Sequence, residues 1–158
     1  MKIEKAERAH FSDICSLIRS PEEMYLVYPN GRYPLDLDQL EHLNTVRHDL
    51  SVLIVNDQVA GFANIYDLKA GQSAFIGNVI VDETHRGKGY GLALIKHMKT
   101  LIEVKYNALP HLSVFGGNSK AIMLYKRLGF EPYDVEARIN YAGQQVALFH
   151  MRLNNKQA

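Results

Sequence analysis

Arg86-Gly87-Lys88-Gly89-Tyr90-Gly91 decides how the rest of this sequence is read. It follows an apolar run, Asn78-Val79-Ile80-Val81-Asp82, and opens an amphipathic one from Leu92 to Tyr106. That order predicts a strand, a glycine-rich turn and a helix. The first amides of a helix have no intrahelical acceptor and sit at the positive end of its dipole, so such a turn suits a phosphate. Arg86 and Lys88 bring cations to the same place. A Walker loop needs Gly-Lys-Ser/Thr, whose hydroxyl holds Mg²⁺, but Gly87-Lys88 is followed by Gly89. A dinucleotide loop needs Gly-x-Gly-x-x-Gly, and after Gly87 and Gly89 the last position holds Leu92. The pattern that remains is Gln/Arg-x-x-Gly-x-Gly/Ala, met by Arg86, Gly89 and Gly91.

Outward from the loop, the chain reads as one domain over residues 1–158, long enough to bury a core. A hydrophobic fraction of 47% with 22% charged residues is ordinary for a soluble globular protein. The formal net charge of +1 gives no reason to expect nucleic acid or an anionic membrane as a partner. The lone cysteine, Cys15, cannot form an intrachain disulfide, falls in an apolar helical pattern and reads as core filler. The charged start Met1-Lys2-Ile3-Glu4-Lys5 lacks the apolar stretch of a signal peptide, and no run approaches a membrane span. The cytoplasm is the expected location, and a monomer or homodimer the expected assembly. The histidines are dispersed without metal-ligand spacing, so no metal is expected.

Periodicity and turn residues give the coarse order. A short strand over Ile3–Ala6 precedes a helix capped by Asp13 that ends near Ser20-Pro21. An irregular aromatic stretch follows, from Met24 to Pro34, and then a helix over Asp36–His48. Strands over Ser51–Val55 and Val59–Tyr66 join across Asn56-Asp57, a tight-hairpin signal, with a third over Ala74–Val81. After the glycine loop and its helix come a strand at His111–Phe115 and a helix over Asn118–Leu128 with Gly129 as its C-terminal stop. Two closing strands, Pro132–Ile139 and Gln144–Arg152, precede a frayed tail over 153–158.

With a strand before it and a helix after it, the Arg86–Gly91 loop resembles the acetyl-CoA loop of the GCN5-related N-acetyltransferase (GNAT) family. Asn118-x-x-Ala121-x-x-x-Tyr125-x-x-x-Gly129-Phe130 is similar to that family's second signature, and the element order agrees from residue 2 to residue 153. The resemblance implies an α/β (α+β) fold, a mixed and mostly antiparallel sheet of about six to seven strands flanked by about four helices. It implies an N-acetyltransferase that moves acetyl from acetyl-CoA to a primary amine by direct attack in a ternary complex. A non-catalytic acyl-CoA-binding module is the alternative.

Particular residues take expected roles from the resemblance. The amides of Gly87, Lys88, Gly89, Tyr90 and Gly91 cradle the pyrophosphate, with Arg86 and Lys88 neutralising it. The backbone of Val79 and Val81 pairs with the pantetheine arm, as a peptide adds to a sheet edge. A β-bulge there would splay the strand and aim an amide at the thioester carbonyl. Asn118 is both a helix cap and a cofactor contact. Tyr125 follows it by seven residues, about 10 Å along the same side of a helix, and is the expected acid for the departing thiolate. Many family members carry a glutamate on the strand before the loop; this sequence has Phe75-Ile76-Gly77-Asn78. Deprotonation is therefore expected through water organised by Asn78, with Glu22, Glu23 and His85 as lesser candidates. The acceptor site is expected at Tyr25, Tyr28 and Arg32, with Asn64, Tyr66 and Arg138 beside it. An acceptor carboxylate would pair with Arg32 or Arg138.

Overall fold

Seven segments become strands: β1 (Lys2–Lys5), β2 (His48–Val55), β3 (Gln58–Lys69), β4 (Ser73–Val81), β5 (Leu109–Phe115), β6 (Phe130–Ile139) and β7 (Gln145–Leu153). The helices are α1 (Phe11–Cys15), α2 (Pro21–Val27), α3 (Leu37–Val46), α4 (Tyr90–Tyr106) and α5 (Ser119–Arg127). The structure, a computed structural model, describes residues 1–154. All strands join one sheet in the order β1-β2-β3-β4-β5-β7-β6, antiparallel throughout except where β4 meets β5. That is the mixed, mostly antiparallel sheet the sequence implies.

In β2, β3 and β4, alternation sends apolar residues to two cores. On one face, Leu94, Ile95, Met98 and Ile102 of α4 pack with Leu53, Ile65, Ile76, Leu112 and Met151, and α5 adds Tyr125. On the other, Phe11, Ile14, Met24 and Leu40 of the first three helices, with Leu17 just after α1, cover Val52, Ile54, Phe62 and Ile80. Each such buried side chain contributes about 1.5–3 kcal/mol from removal of apolar area from water. Cys15 sits half-buried at the rim of this second core, where burial and then nearby Asp36 push its thiol upward, an environment that suits filler and not a thiolate.

Several elements differ from the sequence reading. The first helix is short and starts at Phe11, so Asp13 lies inside it and caps nothing. The segment expected to be irregular is helical over Pro21–Val27, which makes five helices. Its start carries a full local signature: the Ser20 side chain accepts from Glu23 N at 3.1 Å, Pro21 is the first helical residue, and Glu22 and Glu23 favour the positive end of the dipole. His48 opens β2 and does not close α3, because the α3 chain turns extended at Arg47. The tight hairpin is borne out, with Asn56 and Asp57 both at positive φ. Leu153 ends β7 and Asn154 N donates to Gly129 O at 2.8 Å, so the fraying expected from 153 does not begin there; residues 155–158 lie outside the described range.

The cleft-forming feature is the parting of β4 and β5. They pair from Ser73 opposite Leu109 to Ile76 opposite Leu112 and no further. Beyond that point β4 stays with β3 and β5 stays with β7, leaving a wedge between them.

Candidate active site

The wedge begins at a bulge. Phe62 faces Ile80 and Asn64 faces Gly77, so Ala63 of β3 opposes both Asn78 and Val79. Asn78 takes φ +49°, a left-handed conformation that asparagine tolerates better than most residues. Its buried side chain is tied at both ends. Asn64 Nδ2 donates to Asn78 Oδ1 at 2.8 Å, and Asn78 Nδ2 donates to Val27 O at 2.9 Å. Val27 closes α2, so Asn78 satisfies one of the carbonyls that helix leaves over. Arg47 Nη1 reaches Asn64 Oδ1 at 3.4 Å, and its guanidinium lies 4.2 Å from the centre of the Tyr66 ring. Burial lowers the Arg47 guanidinium from its ordinary value and raises the Tyr66 phenol.

Helix α5 forms the opposite wall. Asn118 occupies the cap position, but its side chain makes no capping hydrogen bond, contrary to the sequence reading, and it lines the cleft instead. Tyr125 also lines the cleft, and its hydroxyl has no hydrogen-bond partner among the described residues. Burial pushes that phenol up to about 12, so it stays protonated at every physiological pH.

The glycine loop starts five residues beyond Val81. Gly87 (φ +78°) and Gly89 (φ +85°) require the left-handed region, and a Cβ on either would meet nothing within 4 Å, so their backbone is open to a ligand. Gly91 differs: it lies in the first turn of α4, and a Cβ there would make ordinary contact with Leu124 Cδ2 at 3.6 Å, which sets this turn beside α5. The first intrahelical bond runs from Ala93 N to Gly89 O, so the amides of Tyr90, Gly91 and Leu92 precede the ladder. Lys88 makes no ion pair among the described residues and is exposed. Arg86 is engaged elsewhere: Nε donates to Val81 O at 2.9 Å and Nη2 pairs with Glu23 at 2.7 Å. It fastens the loop to β4 and α2, and it covers the Val81 carbonyl that the sequence reading offers to a pantetheine arm. Tyr90 is half-buried with its ring 6.0 Å from that of His85.

Between these walls lies a cleft of about 310 Å³ that brings together Val27, Tyr28, Tyr66, Asn78, Val79, Asn118, Tyr125 and Arg138. Six expected acceptor or base residues, Glu22 and Asn64 among them, are not in the lining. The Arg32 side chain is 82% exposed and sits 4.0 Å from Asp36, the cap of α3. Tyr25 packs edge-on to Phe115 at 4.7 Å and donates to Ile139 O at 3.4 Å, which docks α2 on the β6–β7 hairpin. Glu23 is held by Arg86 and the Arg19 amide, and His85 stands 3.3 Å from Asp82. Asn64 lies beneath the cleft floor, fully buried. Sequence reasoning missed Arg47, Ser113 and His150, which all line the cleft. Among the described residues no group of three or more His, Cys, Asp or Glu is placed to hold a metal ion, and no helix is long and apolar enough to cross a membrane.

A bulged strand that parts from its parallel neighbour, with a glycine loop leading into the next helix, is the backbone arrangement that the resemblance implies. The family model for the Acetyltransferase (GNAT) family matches residues 12–130. The chain belongs to the GNAT family. No curated protein matches it in sequence. Among solved structures, this GNAT chain is similar to the ribosomal-protein-alanine N-acetyltransferase from Brucella melitensis, at 19% identity and a TM-score of 0.80, covering 96% of this chain and 98% of that one. It is similar to the spermidine N-acetyltransferase from Vibrio cholerae in complex with CoA and spermine, at 20% identity, TM-score 0.80 and coverage of 96% and 94%. A Salmonella typhimurium structure with its cofactor acetyl-CoA shares 19% identity at a TM-score of 0.79, covering 98% and 93%. These likenesses establish the seven-stranded GNAT fold.

Proposed function

We propose that this GNAT acetyltransferase moves acetyl from acetyl-CoA to a primary amine by direct attack in the β4–β5 wedge. One observation carries the reading. The partnerless Tyr125 hydroxyl opens into the same cleft as the Asn78 bulge, with the open glycine backbone at the far end of the same strand. The unpaired β4 edge near Val79 suits an extended amide chain, and the Gly87–Gly91 backbone with Lys88 suits a pyrophosphate. Arg86 serves chiefly as a fastener of that loop. The solved structures with acetyl-CoA or CoA bound support the donor assignment.

The role of Tyr125 follows from its burial. A phenol near 12 always carries its proton, while an ordinary thiol titrates near 8.5, so full transfer to a thiolate is uphill at rest. Tyr125 therefore acts as a hydrogen-bond donor to the sulfur as negative charge develops, with the proton following from its hydroxyl and restored from solvent. Asn118, with its amide uncommitted, holds the donor on the same wall. Asn78 is committed to Asn64 and Val27, so it shapes the bulge instead of organising water.

For the acceptor, the cleft mixes Arg47 and Arg138 with Asp67 around the rings of Tyr28, Tyr66 and Phe75, and Glu136 pairs with Arg138 behind the lining. That suits a small or peptidic amine better than a polybasic tail. The lone half-buried thiol fits the cytoplasm. Every group named comes from a single chain. Free-thiol release from acetyl-CoA tests the reading, with spermidine, an alanine-first peptide and phosphinothricin as acceptors. Thiol release stimulated by one of these amines is the expected result. Tight acetyl-CoA binding without stimulation by any amine would leave a non-catalytic acyl-CoA-binding protein.

A further inference from the structure

The proposed transfer needs a base, and the candidates read from the sequence do not supply one. Glu22, Glu23 and His85 are not among the cleft-lining residues, and Asn78 cannot take a proton. Three side chains on adjacent strands do. Ser113 of β5 and His150 of β7 are directly paired in register, and Ser113 Oγ lies 2.7 Å from His150 Nδ1. His150 Nε2 lies 2.9 Å from Glu136 Oε1 on β6. Ser113 stands one residue past Leu112, where β5 parts from β4, so its hydroxyl is at the opening of the wedge; His150 lines the same cleft.

The hydrogen-bond chemistry fixes the direction of this chain. Hydrogen bonds from Arg138 and His150 hold the Glu136 carboxyl below its usual range, so it is ionised and only accepts. In the neutral imidazole Nε2 then carries the hydrogen, Nδ1 is bare, and the Ser113 hydroxyl donates to it. Tyr66 is a second hydrogen-bond partner of the Ser113 hydroxyl, so with its hydrogen given to Nδ1 the Oγ has one lone pair for the Tyr66 hydroxyl and one for an incoming amine.

We propose that Ser113, His150 and Glu136 form the proton relay that deprotonates the attacking amine. The assignment rests on the acyl-transfer reading above. As the amine nitrogen forms its bond to the acetyl carbon and the carbon–sulfur bond breaks, the nitrogen's surplus proton passes to Ser113 Oγ. The serine's own proton moves to His150 Nδ1, and Glu136 balances the imidazolium. The sulfur leaves with its electron pair and is protonated through the Tyr125 hydroxyl. Exchange with solvent resets histidine and tyrosine, so the net products are the amide and the free thiol. The charged and titratable groups around His150 are Tyr133, Glu136 and Arg138 from β6, His111 from β5, Arg152 on β7, and Tyr66 and Asp67 from β3, with Arg47 across the cleft.

The test is the pH profile of kcat/KM for whichever of spermidine, the alanine-first peptide or phosphinothricin supports turnover. His150→Gln is expected to lower kcat/KM for the amine about 100-fold at neutral pH, with acetyl-CoA affinity within about twofold of wild type. The deficit should shrink as pH rises and solution supplies free amine. Glu136→Gln, which keeps the imidazole but removes its counter-charge, should lose about tenfold and shift the profile. Wild-type turnover with an unchanged profile in His150→Gln overturns the relay and leaves the acyl transfer standing. No amine-dependent turnover in the wild type overturns both. If His150→Gln fails to bind acetyl-CoA, an unaltered profile in Glu136→Gln overturns the relay.

Discussion

Asn78 and Asn118 face each other across one cleft, and they are used in opposite ways. Asn78 is spent inside the protein: Asn64 and the last carbonyl of α2 take both ends of its amide, and that tie holds the bulge of β4. Asn118 occupies a helix-cap position yet makes no cap bond, and Tyr125, two turns along, keeps a partnerless hydroxyl. Buried polar groups cost stability unless paired, so the paired Asn78 reports construction, whereas Asn118 and the Tyr125 hydroxyl open to the cleft. The β4 wall is wired to itself. The α5 wall leaves its polar groups without protein partners among the described residues.

The largest effect expected from this contrast is on chemistry at the open wall. Tyr125→Phe should lower kcat about 100-fold, with little change in KM for acetyl-CoA, in steady-state assays. An unchanged kcat, where chemistry limits turnover, removes the hydroxyl from the mechanism. On the wired wall the effect should fall on stability. Asn78→Ala leaves the Asn64 amide and the Val27 carbonyl without their partner and should cost about 2–3 kcal/mol in urea unfolding. A variant as stable as wild type would show that the ties do not hold the bulge.

Just past Val81, Asp82 extends the wired side and gives it a pH signature. Burial alone would raise its carboxyl, but hydrogen bonds from Thr84, Arg19 and His85 bring it down to about 2. A depressed carboxyl stabilises above its unfolded value near 4, and the contribution is lost as pH falls from there toward 2. The amount is about 2 kcal/mol. Asp82→Asn should unfold with a shallower acid dependence over that window, and identical acid profiles would sink the assignment. The smallest structural effect belongs to Asn118→Ala. Because the side chain caps nothing, unfolding should change by less than about 0.5 kcal/mol, while kcat/KM for acetyl-CoA falls about tenfold. A stability loss of the size of a broken cap would erase the contrast between the two asparagines.

The parts of this arrangement that were legible in the sequence are those written locally. The glycine loop, the α4 face, the Asn56-Asp57 hairpin and the Asn118…Tyr125 spacing each sit within a few turns of chain. Helix α2 is equally local, through Ser20, Pro21 and Glu23, but Tyr25, Tyr28, Pro29 and Pro34 in and after it read as an irregular aromatic stretch. The bulge at Asn78 leaves no periodic trace, because one extra residue in a strand is visible only against its partner. Arg47, Ser113 and His150 were hidden for the same reason. Their company is set by strand order and register, and the insertion of β7 between β5 and β6 cannot be counted out from residues alone. Arg86 was read for its charge, while Glu23, distant in sequence, decides what that charge does.

The parting of β4 and β5 also bears on solubility. Unpaired strand edges invite other chains to add on, and this sheet carries two of them in its interior. They face each other across a narrow wedge, between α2 on one side and α5 on the other, and Arg86 already takes the Val81 carbonyl. A folded neighbour cannot bring a strand into that gap, whereas a thin, flexible chain with spaced amides can. The fold thus keeps a hydrogen-bonding edge in reserve at its centre without exposing it to self-association.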